Sequence, residues 1–107
     1  MRIRHAAALA LVGWFLMLPP THGGYSHFYT DEPLRKWCRG DYSDTLGGCR
    51  QLQQRRIRQF IAAGRKEPIR RKDADYYALG QCIAEDDPRL EGNSAITAFK
   101  LRHSAPN

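Results

Sequence analysis

A short apolar run near the N-terminus constrains this chain more than any other feature. Residues 6–18 form the run, and two arginines, Arg2 and Arg4, precede it. Pro19 and Pro20 follow it, and then a stretch of small residues. A positive start, a short apolar middle and a small-residue exit are the three regions of a secretory signal peptide. An uncleaved membrane anchor is the alternative interpretation. The run has 13 residues, whereas a membrane-spanning helix needs about 20, so its length favours the signal peptide.

We predict cleavage near Gly23, which divides the chain into a signal peptide, residues 1–23, and a small domain, residues 24–107. The domain is then periplasmic or secreted. A domain of this size has only a small core, and exported domains commonly gain stability from disulfides. The cysteines of the chain therefore bear directly on its fold.

The chain has three cysteines, Cys38, Cys49 and Cys82, so at least one of them is unpaired within a monomer. Cys38 and Cys49 lie on either side of a glycine-containing turn between two expected helices. We favour a disulfide between these two, which would hold the helices together as a hairpin. Cys82 is then unpaired or joins two chains in a homodimer. Pairing of Cys82 with either of the other cysteines is the alternative.

The rest of the chain carries helical spacing, because its apolar residues recur at intervals of three and four. Alternation of apolar and polar residues, the pattern of a half-buried strand, is almost absent. We therefore expect an all-α fold, a small disulfide-stapled bundle of about four short helices with flexible ends. The first helix is expected between Thr30 and Gly40, the second from about Cys49 to Ala63, the third from Asp73 to near Ala84, and the fourth from a cap at Asn93 or Ser94 through Leu101.

Charge is unevenly distributed along the chain, whose net charge is +6. Residues 34–72 hold 12 basic and 3 acidic residues, whereas residues 73–107 hold 3 basic and 6 acidic ones. The basic residues of the second expected helix and of the connector after it form a candidate docking strip for something acidic. A solvated face that keeps the protein soluble is the alternative. The strip consists of Arg50, Arg55, Arg56, Arg58, Arg65, Lys66, Arg70, Arg71 and Lys72.

No pattern of residues specifies a reaction. The carboxylates fall in turns, at expected helix starts and in the acidic run 85–87, and no serine lies in a nucleophile-elbow context. The cysteines and histidines lack the short spacings that are typical of metal and haem sites. We therefore predict no catalytic residue, no metal and no cofactor, and we expect that the protein is not an enzyme.

Two segments carry a family resemblance. Residues 29–40 run from a tyrosine through polar residues and a leucine to Trp37-Cys38 and a glycine, and Cys49 follows about a dozen residues on. Nearer the C-terminus, residues 87–90 are Asp-Pro-Arg-Leu, and a Ser-Ala pair follows at 94–95. The order of these segments resembles that of the small periplasmic immunity proteins that neutralise type VI secretion amidase toxins.

The resemblance implies an all-α fold, a Cys38–Cys49 disulfide and a function that consists of plugging the active site of a toxin. The chain departs from the family in several places. Residues 51–56 replace a glycine-containing helix, the C-terminal Pro-Cys is absent, and Cys82 has no counterpart. The resemblance does not indicate which residues would do the plugging.

We therefore expect a small exported helical protein that acts by binding a protein partner, as an immunity or inhibitor protein. One alternative is a protein that binds an anionic membrane surface through the docking strip. Another is an exported protein with no specific chemistry, and a small enzyme or a processed precursor is a third. Nucleic acid is not expected as a partner, because exported proteins seldom meet it and no aromatic residues interleave with the arginines.

Overall fold

The structure, a computed structural model, describes residues 12–22 and 27–104, and this part of the chain has an α+β fold with three α-helices and five β-strands. The all-α fold expected from the sequence is therefore wrong. Two 3₁₀ helices, Leu34–Lys36 and Pro88–Leu90, complete the structure. The strands are β1 (Trp14–Leu18), β2 (Thr21–His22), β3 (His27–Phe28), β4 (Cys38–Ser43) and β5 (Gln81–Ala84), and the helices are α1 (Leu46–Ala63), α2 (Ile69–Ala78) and α3 (Ser94–Ser104).

Three of the strands form an antiparallel sheet in the order β4-β1-β5, so that β1 is the central strand. Phe15 of β1 lies opposite Tyr42 of β4 on one side and opposite Ile83 of β5 on the other. The register between β1 and β4 shifts between Phe15 and Met17. The other two strands, β2 and β3, form a separate two-stranded antiparallel sheet.

The central strand is buried on both faces of the sheet. Phe15, Leu16 and Met17 have no exposed surface at all. Successive side chains of a strand point to opposite faces, so a strand that is covered on both faces needs apolar residues at every position. This explains why residues 14–18 form a continuous apolar run in the sequence instead of an alternating one.

The sheet separates two apolar clusters. On one face, Leu16 and Leu18 pack with Cys49 of α1 and Tyr76 of α2. On the other face, Phe15 and Met17 belong to a cluster whose remaining members come from the 3₁₀ helices, the residues beside them, β5 and α3. Those members are Leu34, Trp37, Ile83, Leu90 and Ile96. The helical hairpin α1–α2 thus covers one face of the sheet, and α3 with the two 3₁₀ helices covers the other.

This arrangement uses the segment that the sequence assigned to a signal peptide. The predicted cut near Gly23 falls between β2 and β3, and it would remove the central strand from the sheet. The start of β1 is also tied to the end of β5, because the Gly13 amide donates to Glu85 Oε1 at 2.7 Å and the Glu85 amide donates to the Gly13 carbonyl at 2.9 Å. An export leader stays a prediction, since residues 1–11 and Gly23 itself lie outside the described residues.

The four expected helices have different outcomes. The second is confirmed as α1, which begins at Leu46, and the fourth is confirmed as α3. The first is wrong: its residues form a single 3₁₀ turn and then the start of strand β4, because Cys38 and Arg39 pair with Leu18 and Met17 of β1. The third is α2, but it ends at Ala78, and the residues that follow form β5.

The disulfide joins Cys49 to Cys82, so both the expected Cys38–Cys49 bridge and the expected unpaired Cys82 are wrong. Cys38 is the free cysteine, and it is exposed. The cause is the strand that replaces the first expected helix. An extended strand rises about 3.4 Å per residue, so β4 carries Cys38 about 17 Å away from Ser43 at its other end. Disulfide-bonded cysteines need Cα atoms within about 7 Å of each other, whereas Cys49 faces the sheet beside β5.

Candidate functional site

The fold divides the nine residues of the candidate docking strip into two exposed surfaces and two arginines that are paired with carboxylates, Arg56 and Arg70. The first surface is the outer side of α1. We call it the arginine face, and it consists of five exposed side chains that surround an open, shallow depression: Arg50, Gln51, Gln54, Arg55 and Arg58. Their spacing places them on one side of a helix with 3.6 residues per turn.

The opposite side of α1 holds the helix against the rest of the protein. Cys49 is buried and bonded to β5. Gln53 Nε2 donates to the carbonyls of Tyr77 and Gly80, at 2.8 and 2.9 Å, and so links α1 to the end of α2. At the N-terminus of the helix, Thr45 Oγ1 accepts a hydrogen bond of 2.9 Å from the Gly48 amide. The arginine face is therefore carried by a fixed helix and not by a loop.

The electrostatics of α1 are unusual for a solvated helix. The helix contains four arginines and no acidic residue. Residues three and four apart are neighbours on a helix surface, where acid–base pairs are stabilising and like charges are destabilising, and Arg55 and Arg58 are three apart. The sequence of α1 therefore carries a small cost in helix stability, and nothing within the helix offsets it.

The arginines differ in whether they have acidic partners. Arg56 points away from the arginine face and pairs with Asp41 of β4 at 3.3 Å. The hydrogen bond that Arg56 donates to the Asp41 carboxylate is the main cause of the raised pKa of Arg56. Within the described part of the chain, none of the arginines on the arginine face forms an ion pair, so their charge is available to another molecule.

The second surface lies around the turn between α1 and α2, and we call it the hairpin tip. Ile61 and Ile69 are 42% and 55% exposed there. Arg70, in the same stretch, is held by Glu67 at 3.4 Å and by Asp73 at 3.3 Å, so we leave it out of this surface. The hairpin tip consists of Ile61, Arg65, Lys66, Ile69, Arg71 and Lys72, all of which are exposed.

The acidic run after β5 has structural partners. Glu85 Oε1 accepts from the Gly13 amide at 2.7 Å and from the Tyr42 hydroxyl at 3.3 Å. Burial raises the pKa of Tyr42, and the nearby Glu85 carboxylate raises it further. Asp87 caps a 3₁₀ helix by accepting from the Arg89 amide at 2.9 Å. These carboxylates therefore hold strands and turns together.

Within residues 12–22 and 27–104, no group of three histidine, cysteine or carboxylate side chains is close enough together to hold a metal ion. Asp73 does not cap α2 but lies inside it, buried and paired with Arg70. The sequence interpretation missed Gln51 and Gln54 as members of the arginine face and Ile61 and Ile69 as members of the hairpin tip. The absence of acids from residues 46–63 is a signal in the sequence that could have identified the arginine face.

Among the residues described, no helix has both the length and the apolar character needed to cross a membrane. The Cys49–Cys82 disulfide is compatible with an oxidising compartment. Comparisons with protein-family models, with curated proteins and with solved structures find no match for the chain.

Proposed function

We propose that this chain is a small binding protein, exported from the cytosol, that docks on an acidic protein partner through the arginine face of α1. The observation that supports the proposal most directly is the state of three arginines. Arg50, Arg55 and Arg58 are exposed on a helix without acids, and no carboxylate of the described chain neutralises them. A complementary acidic surface would compensate the repulsion that α1 carries on its own.

The chemistry of the arginine face favours a protein as its partner. Arginine presents a planar fork of N–H groups that binds a carboxylate through two parallel hydrogen bonds, and it is enriched at protein interfaces, where lysine is depleted. The arginine face contains no lysine. Gln51 and Gln54 add amide groups that donate and accept, which suits a partner with hydrogen-bonding groups at fixed positions.

Other partners are less well matched to this face. Single-stranded nucleic acid is bound by aromatic side chains that stack on bases, and the arginine face has none. The disulfide is of a kind that persists in oxidising compartments, where nucleic acid is seldom met. An immunity or inhibitor role is one form that binding to an acidic protein would take, with an acidic enzyme or toxin as the partner.

The test compares two variants that lose the same charge. In the face variant, Arg50, Arg55 and Arg58 are replaced by Gln. In the control, three cations of the hairpin tip are replaced in the same way, namely Arg65, Lys66 and Lys72. Each protein is immobilised and used to capture proteins from extracts of its source organism, and the captured proteins are quantified by mass spectrometry. Circular dichroism establishes that both variants are folded.

We expect an acidic protein that the wild type and the control capture and that the face variant loses. The complex is then reconstituted from purified components, and its affinity is measured at low and at physiological salt. A docked interface retains most of its affinity, whereas loose charge attraction between exposed groups is largely screened. The proposal is refuted if no captured protein depends on the arginine face, or if both variants lose the same proteins.

A further inference from the structure

We propose that the hairpin tip docks on the surface of an anionic lipid bilayer. This surface is distinct from the arginine face, and the proposal does not depend on the proposed protein partner. It starts from an unusual combination of exposed side chains at one end of the helical hairpin. Ile61 and Ile69 lie within 12 residues of sequence that also contain four exposed cations without an ion pair in the described chain. The cations are Arg65, Lys66, Arg71 and Lys72.

Exposed isoleucines and exposed cations favour different surroundings, and a bilayer interface provides both. Peripheral membrane helices place apolar side chains at the boundary between headgroups and acyl chains, while their lysines and arginines attract anionic headgroups. Ile61 comes from the last turn of α1 and Ile69 from the first residue of α2. Both isoleucines therefore lie next to the connecting turn and to the cations that it carries.

The backbone of the turn is suited to an apolar surface. The amides of residues 64–67 all donate to carbonyls of α1, namely those of Phe60, Ala62 and Ala63, over 2.8–3.4 Å. Pro68 has no amide hydrogen. The amides of Arg70 and Arg71 donate to the carbonyls of Glu67 and Pro68, at 2.9 and 3.1 Å. Unpaired amides are costly wherever water is excluded, and this turn presents few of them.

The acid of the turn has a partner within the chain. Glu67 is paired with Arg70 at 3.4 Å, and Arg70 also pairs with Asp73 at 3.3 Å, so these three side chains together carry one negative charge. The four cations of the hairpin tip outweigh that charge and can act together on a negatively charged surface. The arginine face lacks this combination, since its five side chains include no apolar residue.

The experiment is co-sedimentation of the full chain with lipid vesicles at low ionic strength. One set of vesicles contains phosphatidylcholine and phosphatidylglycerol, and the other contains phosphatidylcholine alone. We expect binding to the anionic vesicles, weak binding to the neutral ones and loss of binding as salt is added. Free glycerol phosphate in solution should not displace the protein. Displacement by it would indicate a site for a soluble anion and would contradict the proposal.

Two variants separate the hairpin tip from general charge attraction. The first replaces Ile61 and Ile69 with Ser, which leaves the net charge unchanged. Its control replaces Leu79 and Leu101 with Ser, because these are exposed leucines outside the tip. We expect the isoleucine variant to bind anionic vesicles several-fold more weakly, whereas the leucine control binds as the wild type does.

The second variant is Arg65→Gln, Lys66→Gln and Lys72→Gln, with the Arg50, Arg55 and Arg58 variant as its charge-matched control. The tip variant should lose at least about tenfold in vesicle binding, and the control should lose much less. The proposal is overturned if the wild type does not bind anionic vesicles, if the isoleucine variant binds unchanged, or if both charge variants lose binding equally. Capture of a protein partner through the arginine face would be unaffected by any of these outcomes, so the two proposals fail independently.

Discussion

The replacement Phe15→Ala tests whether the N-terminal apolar run is the central strand of the sheet. Phe15 is fully buried, and its ring centroid lies 5.0 Å from that of Tyr42 and 5.1 Å from that of Phe99. Truncation to alanine removes this packing between β1, β4 and α3 and leaves a cavity. Buried Phe→Ala replacements reduce the free energy of unfolding by about 3–5 kcal/mol.

That loss is large for a chain of this length. Small proteins unfold with about 0.05–0.15 kcal/mol per residue, which corresponds to roughly 5–15 kcal/mol here. The matched control is Leu101→Ala, because Leu101 is 67% exposed and should change the free energy of unfolding by no more than about 0.5 kcal/mol. Both are measured by urea denaturation followed by circular dichroism under non-reducing conditions, and midpoints are compared at a common m-value.

The result that would refute the reasoning is a Phe15→Ala variant within about 1 kcal/mol of the wild type. Residues 14–18 would then contribute little to the fold, as expected if they were removed with a signal peptide. A chain that begins at residue 24 makes the same comparison more directly. We expect it to lack a cooperative unfolding transition, since β4 and β5 both pair with the missing strand and neither pairs with the other. A cooperative transition in this shortened chain would support the predicted cleavage near Gly23.

Three further replacements test the Cys49–Cys82 disulfide, the Asn93 cap of α3 and the Asp87 cap of the second 3₁₀ helix. Cys49→Ser should reduce the free energy of unfolding by about 3–4 kcal/mol, because the disulfide restricts the chain entropy of a 33-residue loop in the unfolded state. Its control, Cys38→Ser, should leave the free energy of unfolding unchanged. Equal effects of the two replacements on urea denaturation would contradict the Cys49–Cys82 pairing. Asn93→Ala should reduce the free energy of unfolding by about 2 kcal/mol or more, because Asn93 caps α3 and donates to two buried carbonyls. An unchanged urea midpoint would contradict this role. The hydrogen bond that Arg89 donates lowers the pKa of Asp87 below its usual 3.8, so the Asp87 carboxylate stabilises the fold above pH 3.8 and loses this effect as the pH falls through the folded-state pKa. The difference in urea midpoint between the wild type and Asp87→Asn should therefore shrink on acidification. A difference that stays constant with pH would contradict this role of Asp87.

Two of the helices could be predicted from the sequence because their signals are local. The apolar spacing of residues 49–63 lies within α1, which ends at Ala63 as expected. Asn93 was one of two expected caps for the last helix, and its side chain accepts from the Ile96 amide at 3.0 Å. In both cases the residues that specify the helix are within a few positions of one another in the sequence.

The sheet could not be predicted in the same way, because its strands are specified by partners far along the chain. β1 has no alternating pattern, and a run of 13 apolar residues after two arginines satisfies the signal-peptide pattern equally well. β4 and β5 are short, and the expected first and third helices covered the start of β4 and the whole of β5. They become strands because β1 pairs with both of them, through residues 20 or more positions away.

The disulfide was mispredicted for the same reason. Nearness in the sequence favoured Cys38 as the partner of Cys49, on the assumption that a helical hairpin would bring the two together. With β4 extended, Cys38 lies at the far end of a strand, whereas Cys82 lies beside β1 on the face of the sheet that α1 covers. The pairing of the strands therefore determines the pairing of the cysteines.

The basic strip shows how this long-range pairing bears on function as well as on fold. In the sequence, Arg55, Arg56 and Arg58 are equivalent members of one charge cluster. In the folded chain, Arg56 turns inward to Asp41, which β4 brings within 3.3 Å, and the other two remain on the arginine face. Replacing Arg56 would thus break a contact between α1 and the sheet as well as remove charge. A binding experiment that includes Arg56 in its variant cannot separate lost docking from a displaced helix, so the arginine face is tested with Arg50 in its place.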